Sequence, residues 1–374
     1  MEKVIDINIK FFYHIFMSEI AFQCNLCGNC SEICPFFIAT GNIKYGTMEK
    51  IKAAQKLFKN EELNEEELKT IFLCTRCDQC HKYCPLEIPI STIIQEARAK
   101  LRKMKKVPEK YNTITQAIIN LGSPMGASRE KWLEYIPKEF KPKEKAKYVY
   151  FPGCWSAIKY PETAMASIKL LMKIGIDFTT LNGKEWCCGL FLIDTGLLEE
   201  AKKLAEKNTL VFESIGAEYV ITECPSCHDV LKNVYPKLFR KPSYEVIHIS
   251  QIINENLNKL NIKKTSKRII YKDPCPLVRR NNIIEEPRNI IKRIAELVEY
   301  DKNKWDALCC GAPAGVKPLY PEIANKLAEM LINEAKIKNS EIAVGCVFCM
   351  HHMIGISKEP RIITLSQLVL ENLQ

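Results

Sequence analysis

The sequence predicts an α + α/β protein: a helical N-terminal region, then two α/β domains with short parallel sheets, related by a pseudo-twofold. Three observations predict it. Cysteines at 154, 187, 188, 224 and 227 recur at 275, 309, 310, 346 and 349, always 121 or 122 residues later, so a C…CCG…CxxC pattern is written twice. From residue 147 onward, short apolar strands alternate with helical stretches, the texture of parallel sheets covered by helices. Before residue 108 no such alternation occurs, and apolar residues fall at helical spacing.

The elements follow in order. Residues 1–22 read as an amphipathic lead-in helix. Residues 23–90 carry a first pair of cysteine repeats, joined by a helix that Thr47 can cap and by a turn and second helix around EELNEEEL at 61–68. Another helix is expected at 91–107, which closes a helical domain over 1–107. Residues 108–146, with SPMG and KPKEK, read as a linker. The first α/β domain is expected at 147–262, with strands in AKYVYFPGC, IDFTTLNG, AEYVITEC and YEVIHIS. The second, at 263–374, repeats them as RIIYKDPC, LVEYDKNKW, EIAVGC and RIITLS. Even the closing segments match, HISQIINENL against TLSQLVLENL. Ligand groups collect at the C-terminal ends of parallel strands, where every cysteine loop of the two repeats falls.

Length and composition bound the function. A chain of 374 residues makes two or three domains. All eighteen cysteines fall in four groups, as CxxC runs and vicinal pairs rather than a scatter along loops. Such clusters in a reducing compartment are metal or redox sites. The start, MEKVIDINIKFFYHIF, lacks the clean apolar run and small-residue cleavage site of a secretory leader, and no stretch reaches the ~18 apolar residues of a spanning helix. A cytoplasmic protein is expected, membrane-associated only through a partner. The net charge is +10, with six basic residues in 98–106 and five lysines in 138–147. These read as solvated faces or as a docking surface for an acidic partner. No basic–aromatic stripe points to nucleic acid.

The first cysteine pair is Cys24, Cys27, Cys30 and Cys34, then Cys74, Cys77, Cys80 and Cys84, each ending in Cys-Pro. Both match the C-x2-C-x2-C-x3-C-P run of two-cluster ferredoxins. Three cysteines wrap a [4Fe–4S] cube, and the fourth is turned by its proline toward the other cube. Cys24, Cys27, Cys30 and Cys84 are expected on one cluster, and Cys74, Cys77, Cys80 and Cys34 on the other. Zinc instead favours isolated CxxC pairs.

Each C…CCG…CxxC set offers five thiolates on three loops, one too many for tetrahedral zinc or a simple cube. Vicinal cysteines can serve neighbouring irons, and Gly189 and Gly311 let the backbone turn beside them. A vicinal disulfide, or zinc with a spare thiol, are the other readings of these residues.

Together these motifs resemble the heterodisulfide reductase D-subunit family, CCG-domain proteins in which a two-cubane domain is fused to a duplicated catalytic domain. The resemblance covers about residues 20–374. It implies a noncubane [4Fe–4S] cluster on Cys154, Cys187, Cys188, Cys224 and Cys227, and another on Cys275, Cys309, Cys310, Cys346 and Cys349. It implies an oxidoreductase of methanogenesis or related anaerobic metabolism. In such a protein a partner (flavoprotein, ferredoxin-like protein or cytochrome subunit) feeds the cubanes of a hetero-oligomer. A disulfide is then reduced, or formed, between the noncubane pair. No flavin or nicotinamide signature is present.

The chain departs from the family pattern where relatives read DPCHxxR: here DPCPLVRR places Pro276 at the histidine position and Arg279 at the arginine position. The runs GAPAG and CVFC also differ from the family forms. His228, His351 and His352, beside the CxxC loops, are the candidate proton donors. Arg279 and Arg280 are candidate anion sites, and Trp155 and Trp186 candidate shields. Pro276 favours the second expectation, an electron-transfer subunit of a flavin-linked hydroxy-acid or glycerol-3-phosphate oxidase. A cluster-handling maturation or scaffold protein is the third expectation.

Overall fold

The structure, a computed structural model, describes residues 17–128 and 130–374. Most of the expected lead-in helix, up to residue 16, lies outside the described residues, and 17–22 are helical. The chain divides into two compact units. One comprises Met1–Asn112 with two later segments, Ile193–Leu197 and Gly311–Leu327. The other comprises Thr113–Leu192, Leu198–Cys310 and Ala328–Gln374.

The first unit is helical, with Thr47–Phe58, Glu65–Phe72 and Ile90–Lys103 as its longer helices before residue 108. Asn64 caps the second reciprocally: its side chain accepts from Glu67 N and the Glu67 carboxylate accepts from Asn64 N, both at 2.9 Å. Thr47 does not cap the first. It is the first helical residue, with Gly46 in the capping position. The neighbouring Met48 N–H is satisfied from outside the helix, by Ser31 Oγ at 2.9 Å. Ile93, Ile94, Ala97 and Leu101 form the buried stripe of the third helix.

The same helix corrects the reading of 98–106 as one basic face. Arg98 is fully buried. Its guanidinium donates to the carbonyls of Ile71, Phe72, Cys74, Asp194 and Ala314. Arg102 donates to Thr195 O and Asn112 Oδ1. The two later segments are thus fastened by carbonyl–guanidinium bonds, by an Arg76–Asp194 ion pair and by Tyr111 Oη donating to Ala314 O at 2.8 Å.

The stretch expected as a linker is folded. Pro108 precedes the helix Glu109–Leu121, a position where its missing N–H leaves no bond unmade. Trp132 and Tyr135 are fully buried, and Tyr135 donates to Glu185. Proline and lysine signal a break in a pattern, but packing decides whether the segment beyond it is loose.

The second unit contains both repeats. Strands β1 Tyr148–Phe151, β2 Phe178–Thr180, β3 Tyr219–Thr222 and β4 Glu245–His248 form a parallel sheet in the order β2-β1-β3-β4. Strands β5 Arg268–Lys272, β6 Glu296–Glu299, β7 Glu341–Val344 and β8 Ile362–Thr364 repeat it as β6-β5-β7-β8. The central strands carry buried apolar runs: Val149, Tyr150 and Phe151, then Ile342, Ala343 and Val344, are fully buried.

The repeats exchange helices. Ile249–Glu255, which closes the first repeat, packs on Glu285–Ile294 of the second. Leu365–Glu371, which closes the second, packs on Pro161–Ile174 of the first. Ser167 Oγ and Ser366 Oγ meet there at 2.9 Å. His248 and Thr364 cap the two closing helices in matching boxes with Gln251 and Gln367.

Candidate metal centres

In the first unit the two CxxCxxC loops have one backbone. Leu26 and Gly28 adopt left-handed φ of 58° and 86°, and Arg76 and Asp78 match them at 54° and 60°. Left-handed Leu, Arg and Asp store strain, which a bound group can hold in place. Cys24, Cys27, Cys30 and Cys84 line one pocket with Leu26, Met48, Pro85 and Leu86. The Cys30 thiol is pushed up to about 12 by burial, then by Cys24, Cys84 and Cys27. The Cys80 thiol is raised by burial, then by Cys77, Cys74, Asp78 and Cys34. The electrostatic neighbours therefore cross between the two runs. A buried thiol of raised pKa keeps its proton until a metal displaces it.

The surroundings differ. Cys27 is exposed, and Leu86 beside it is 51% exposed. Around the other loop two buried cations gather: Lys50 Nζ lies 3.6 Å from Cys34 Sγ, and Arg98 donates to Cys74 O at 2.7 Å.

In the second unit the five cysteines of the first repeat are all buried. Cys154 and Cys187 Sγ atoms lie 3.9 Å apart. The Cys187 thiol falls well below its ordinary pKa through hydrogen bonds from Cys154 and Cys188. Gly153 adopts φ 77°, and a Cβ there would stand 2.8 Å from Cys227 Sγ. Asn208 donates to the carbonyls of Trp186 and Cys187 and to Tyr235 Oη, which donates to Cys188 O at 3.1 Å. The vicinal pair is thus pinned by two residues that carry no sequence signal. Gly189 and Gly311 both take left-handed φ, at 84° and 86°.

In the second repeat Cys310 and Cys349 Sγ atoms are 3.4 Å apart. Cys275 is held down to about 5 by a Cys309 hydrogen bond, against burial, with help from Lys272 and Arg279. Lys272 is 1% exposed and donates to Asp273 O at 2.7 Å. Burial would strip its charge, yet the thiols of Cys349, Cys275, Cys310 and Cys309 keep it well above its ordinary pKa. The Asp273 carboxylate is taken by Arg288, in a bidentate pair at 2.8 and 2.7 Å.

These donor sets fit polynuclear iron–sulfur groups. Soft thiolates suit them, and Cys24, Cys27, Cys30 and Cys84 line one cavity. Among the described residues no three His, Cys, Asp or Glu side chains converge as a single ion requires.

The candidates around the thiols are placed unequally. His351 is half-buried and its Nδ1 meets Tyr160 Oη at 2.8 Å, joining the two repeats. Trp155 packs on Phe348 and His351, with ring centres 4.7 and 4.6 Å away. The twofold counterpart of this junction pairs Arg280 with Asp229 at 2.7 Å and Asn281 with Asn233 at 3.1 Å. Trp155–Lys159 and Val230–Val234, both in the first repeat, are π-type turns on this junction. His228 is fully buried, and burial lowers its pKa to about 4, so its ring is neutral at pH 7. His352 is also fully buried. Arg279 does not reach outward. It donates to the carbonyls of Trp305 and Ala307, just before the vicinal pair, and so positions that loop. Trp186 is half-buried and covered by Lys207 Nζ, 3.4 Å from its ring centre.

Fold and site together define an iron–sulfur oxidoreductase component with a dicluster domain and two cysteine-rich domains. The 4Fe-4S dicluster domain family matches residues 20–88, and the cysteine-rich domain family matches 148–232 and 269–354. The D subunit of the dihydromethanophenazine:CoB–CoM heterodisulfide reductase of Methanosarcina acetivorans is 31% identical, over 89% of this chain and 88% of that protein. The B subunit of the fumarate reductase (CoM/CoB) of Methanothermobacter marburgensis is 32% identical over 54% of this chain and 41% of that protein. The EtfAB:quinone oxidoreductase of Syntrophomonas wolfei is 28% identical over 60% and 34%. The chain belongs to the heterodisulfide reductase D-subunit family. Among the described residues no helix is long and apolar enough to cross a membrane.

Proposed function

We propose that this chain reduces a mixed disulfide of the CoM–CoB type with electrons from a redox-protein partner. Cys24, Cys27, Cys30 and Cys84 hold one cubane cluster, and Cys74, Cys77, Cys80 and Cys34 the other. Each five-cysteine set holds a noncubane cluster. When bound, these groups supply one-electron carriers and Lewis-acidic iron for departing thiolates.

The observation that carries the reading is the junction between the repeats. Trp155 and Tyr160, which follow Cys154, meet Phe348 and His351 from the other CxxC loop. A carrier needs no such pairing of two complete five-cysteine sets. The reaction breaks one S–S bond, takes two electrons from the partner and two protons, and releases two thiols. Tyr160 Oη and His351 Nδ1 share a hydrogen bond, so the pair can hold a proton at the junction and orient the ring. Trp155 and Phe348 keep water away from it. Pro276 carries no proton, and buried His228, its pKa lowered to about 4, holds no imidazolium proton to give at pH 7.

Reduced protein mixed anaerobically with the CoM–CoB heterodisulfide is expected to release two thiols per two electrons and to change its EPR spectrum. His351→Gln is expected to slow thiol release ~100-fold, the scale of a positioned general acid. Iron content should be unchanged. No thiol release, with rapid electron exchange with a flavoprotein, overturns the reading in favour of an electron-transfer role, the reading that Pro276 favours.

A further inference from the structure

The two five-cysteine sites repeat each other in sequence but not in charge. In the second repeat the residue that ends β5, three before Cys275, is Lys272. The residue that ends β1, three before Cys154, is Phe151. Both side chains are buried. The lysine ammonium donates to the Asp273 carbonyl, while the Asp273 carboxylate is occupied by Arg288 and by Lys304 N at 2.8 Å. At the end of β5, 1% exposed and three residues before Cys275, Lys272 therefore directs its field at the cysteines of its own repeat, four of which in turn hold its charge.

We propose that Lys272 makes the two sites unequal, raising the reduction potential at the Cys275 set above that at the Cys154 set, so that an electron shared between them resides in the second repeat. The inference rests on the cluster assignment proposed above. Adding an electron to an already anionic cluster–thiolate group increases its negative charge. A fixed cation in a low-dielectric interior stabilises that added charge more than it stabilises the oxidised form. Lys272 is a positioning residue in this sense: it touches no substrate and acts through the ligands. The step is a one-electron transfer, in which the partner or a chemical reductant is oxidised and the second site reduced, with no bond made or broken.

The test is an EPR-monitored redox titration of the fully loaded protein, with dithionite as reductant and iron measured first. Two separate noncubane midpoints are expected, and Cys346→Ser should remove or distort the signal of higher potential. Lys272→Met should lower that midpoint toward the other and leave the other in place. Lys272→Arg should restore the separation. Full iron with unmoved midpoints in Lys272→Met overturns the inference and leaves the cluster reading intact. Iron at half the expected content overturns the cluster reading, and the inference with it. Where Lys272→Met loses iron, the native protein decides: if Cys346→Ser removes the lower-potential signal, the inference is wrong.

Discussion

Gly153 shows how narrowly one position is set. Its backbone is left-handed and a methyl group there would overlap Cys227 Sγ. Gly175 is also left-handed, with φ 81°, but has open space for 4 Å around the place a methyl group would take. Gly153→Ala is expected to lose about a quarter of the bound iron, one cluster of four, while Gly175→Ala costs ~1–2 kcal/mol of stability and no iron. His248 gives a pH dependence. Burial, then the His228 charge, lowers its pKa to about 3, and its nitrogens meet Glu223 O and Ser250 Oγ at 2.9 and 2.8 Å. The unfolded chain binds the proton more tightly, so stability is lost as pH falls below ~6.5 toward 3. Thr364 caps the matching helix of the other repeat without a titrating group. His248→Thr should make the acid limb shallower, recovering on the order of 3 kcal/mol at pH 4 in urea unfolding curves and leaving the share of His228 in place. Every cysteine was legible at this scale. What Arg98, Arg279 and Lys272 do was not, because a charge does not announce which carbonyls or thiols will gather around it.

At the scale of elements, the helix Ile90–Lys103 and the turn after it divide a basic run into two roles. Arg98 and Arg102 bind carbonyls inward, whereas Lys103, Lys105 and Lys106 are exposed. Reversing those three charges is expected to slow electron delivery by the partner several-fold at low salt, and little at high salt, with stability unchanged. An equal rate at both salts would leave them as a solvated face. The CxxCxxC loops permit a second test. Cys84 lines the pocket of Cys24, Cys27 and Cys30 although it follows the other run. Cys84→Ser should therefore alter the EPR signal assigned with Cys24→Ser and spare the one assigned with Cys77→Ser. Alternation of strand and helix made all eight strands of the repeats readable. The helix Glu109–Leu121 was hidden behind proline and lysine; its own Tyr111 and Ile118 are fully buried, as are Trp132 and Tyr135 beyond it, and that burial is what makes the stretch part of the fold.

For the whole molecule, loading without oxygen is expected to give roughly sixteen irons per chain, from two cubane and two noncubane four-iron groups. Iron near eight with zinc present would remove the noncubane assignment. Duplication is what makes two such cysteine sets from one design, and the exchange of closing helices packs the two repeats on one another. His351 meets Tyr160 because each repeat packs its first helix against the last of the other.

The sequence by itself determined the four thiol groups, the duplication and the order of strands and helices, since these follow from residue type and from spacing along the chain. Only the tertiary structure decided which residues pin the vicinal cysteines and that the lysine before Cys275 is buried. It also decided that His351, rather than His228, meets a hydroxyl across the junction. Those are properties of burial and of contacts between distant segments, and spacing along one chain does not encode either.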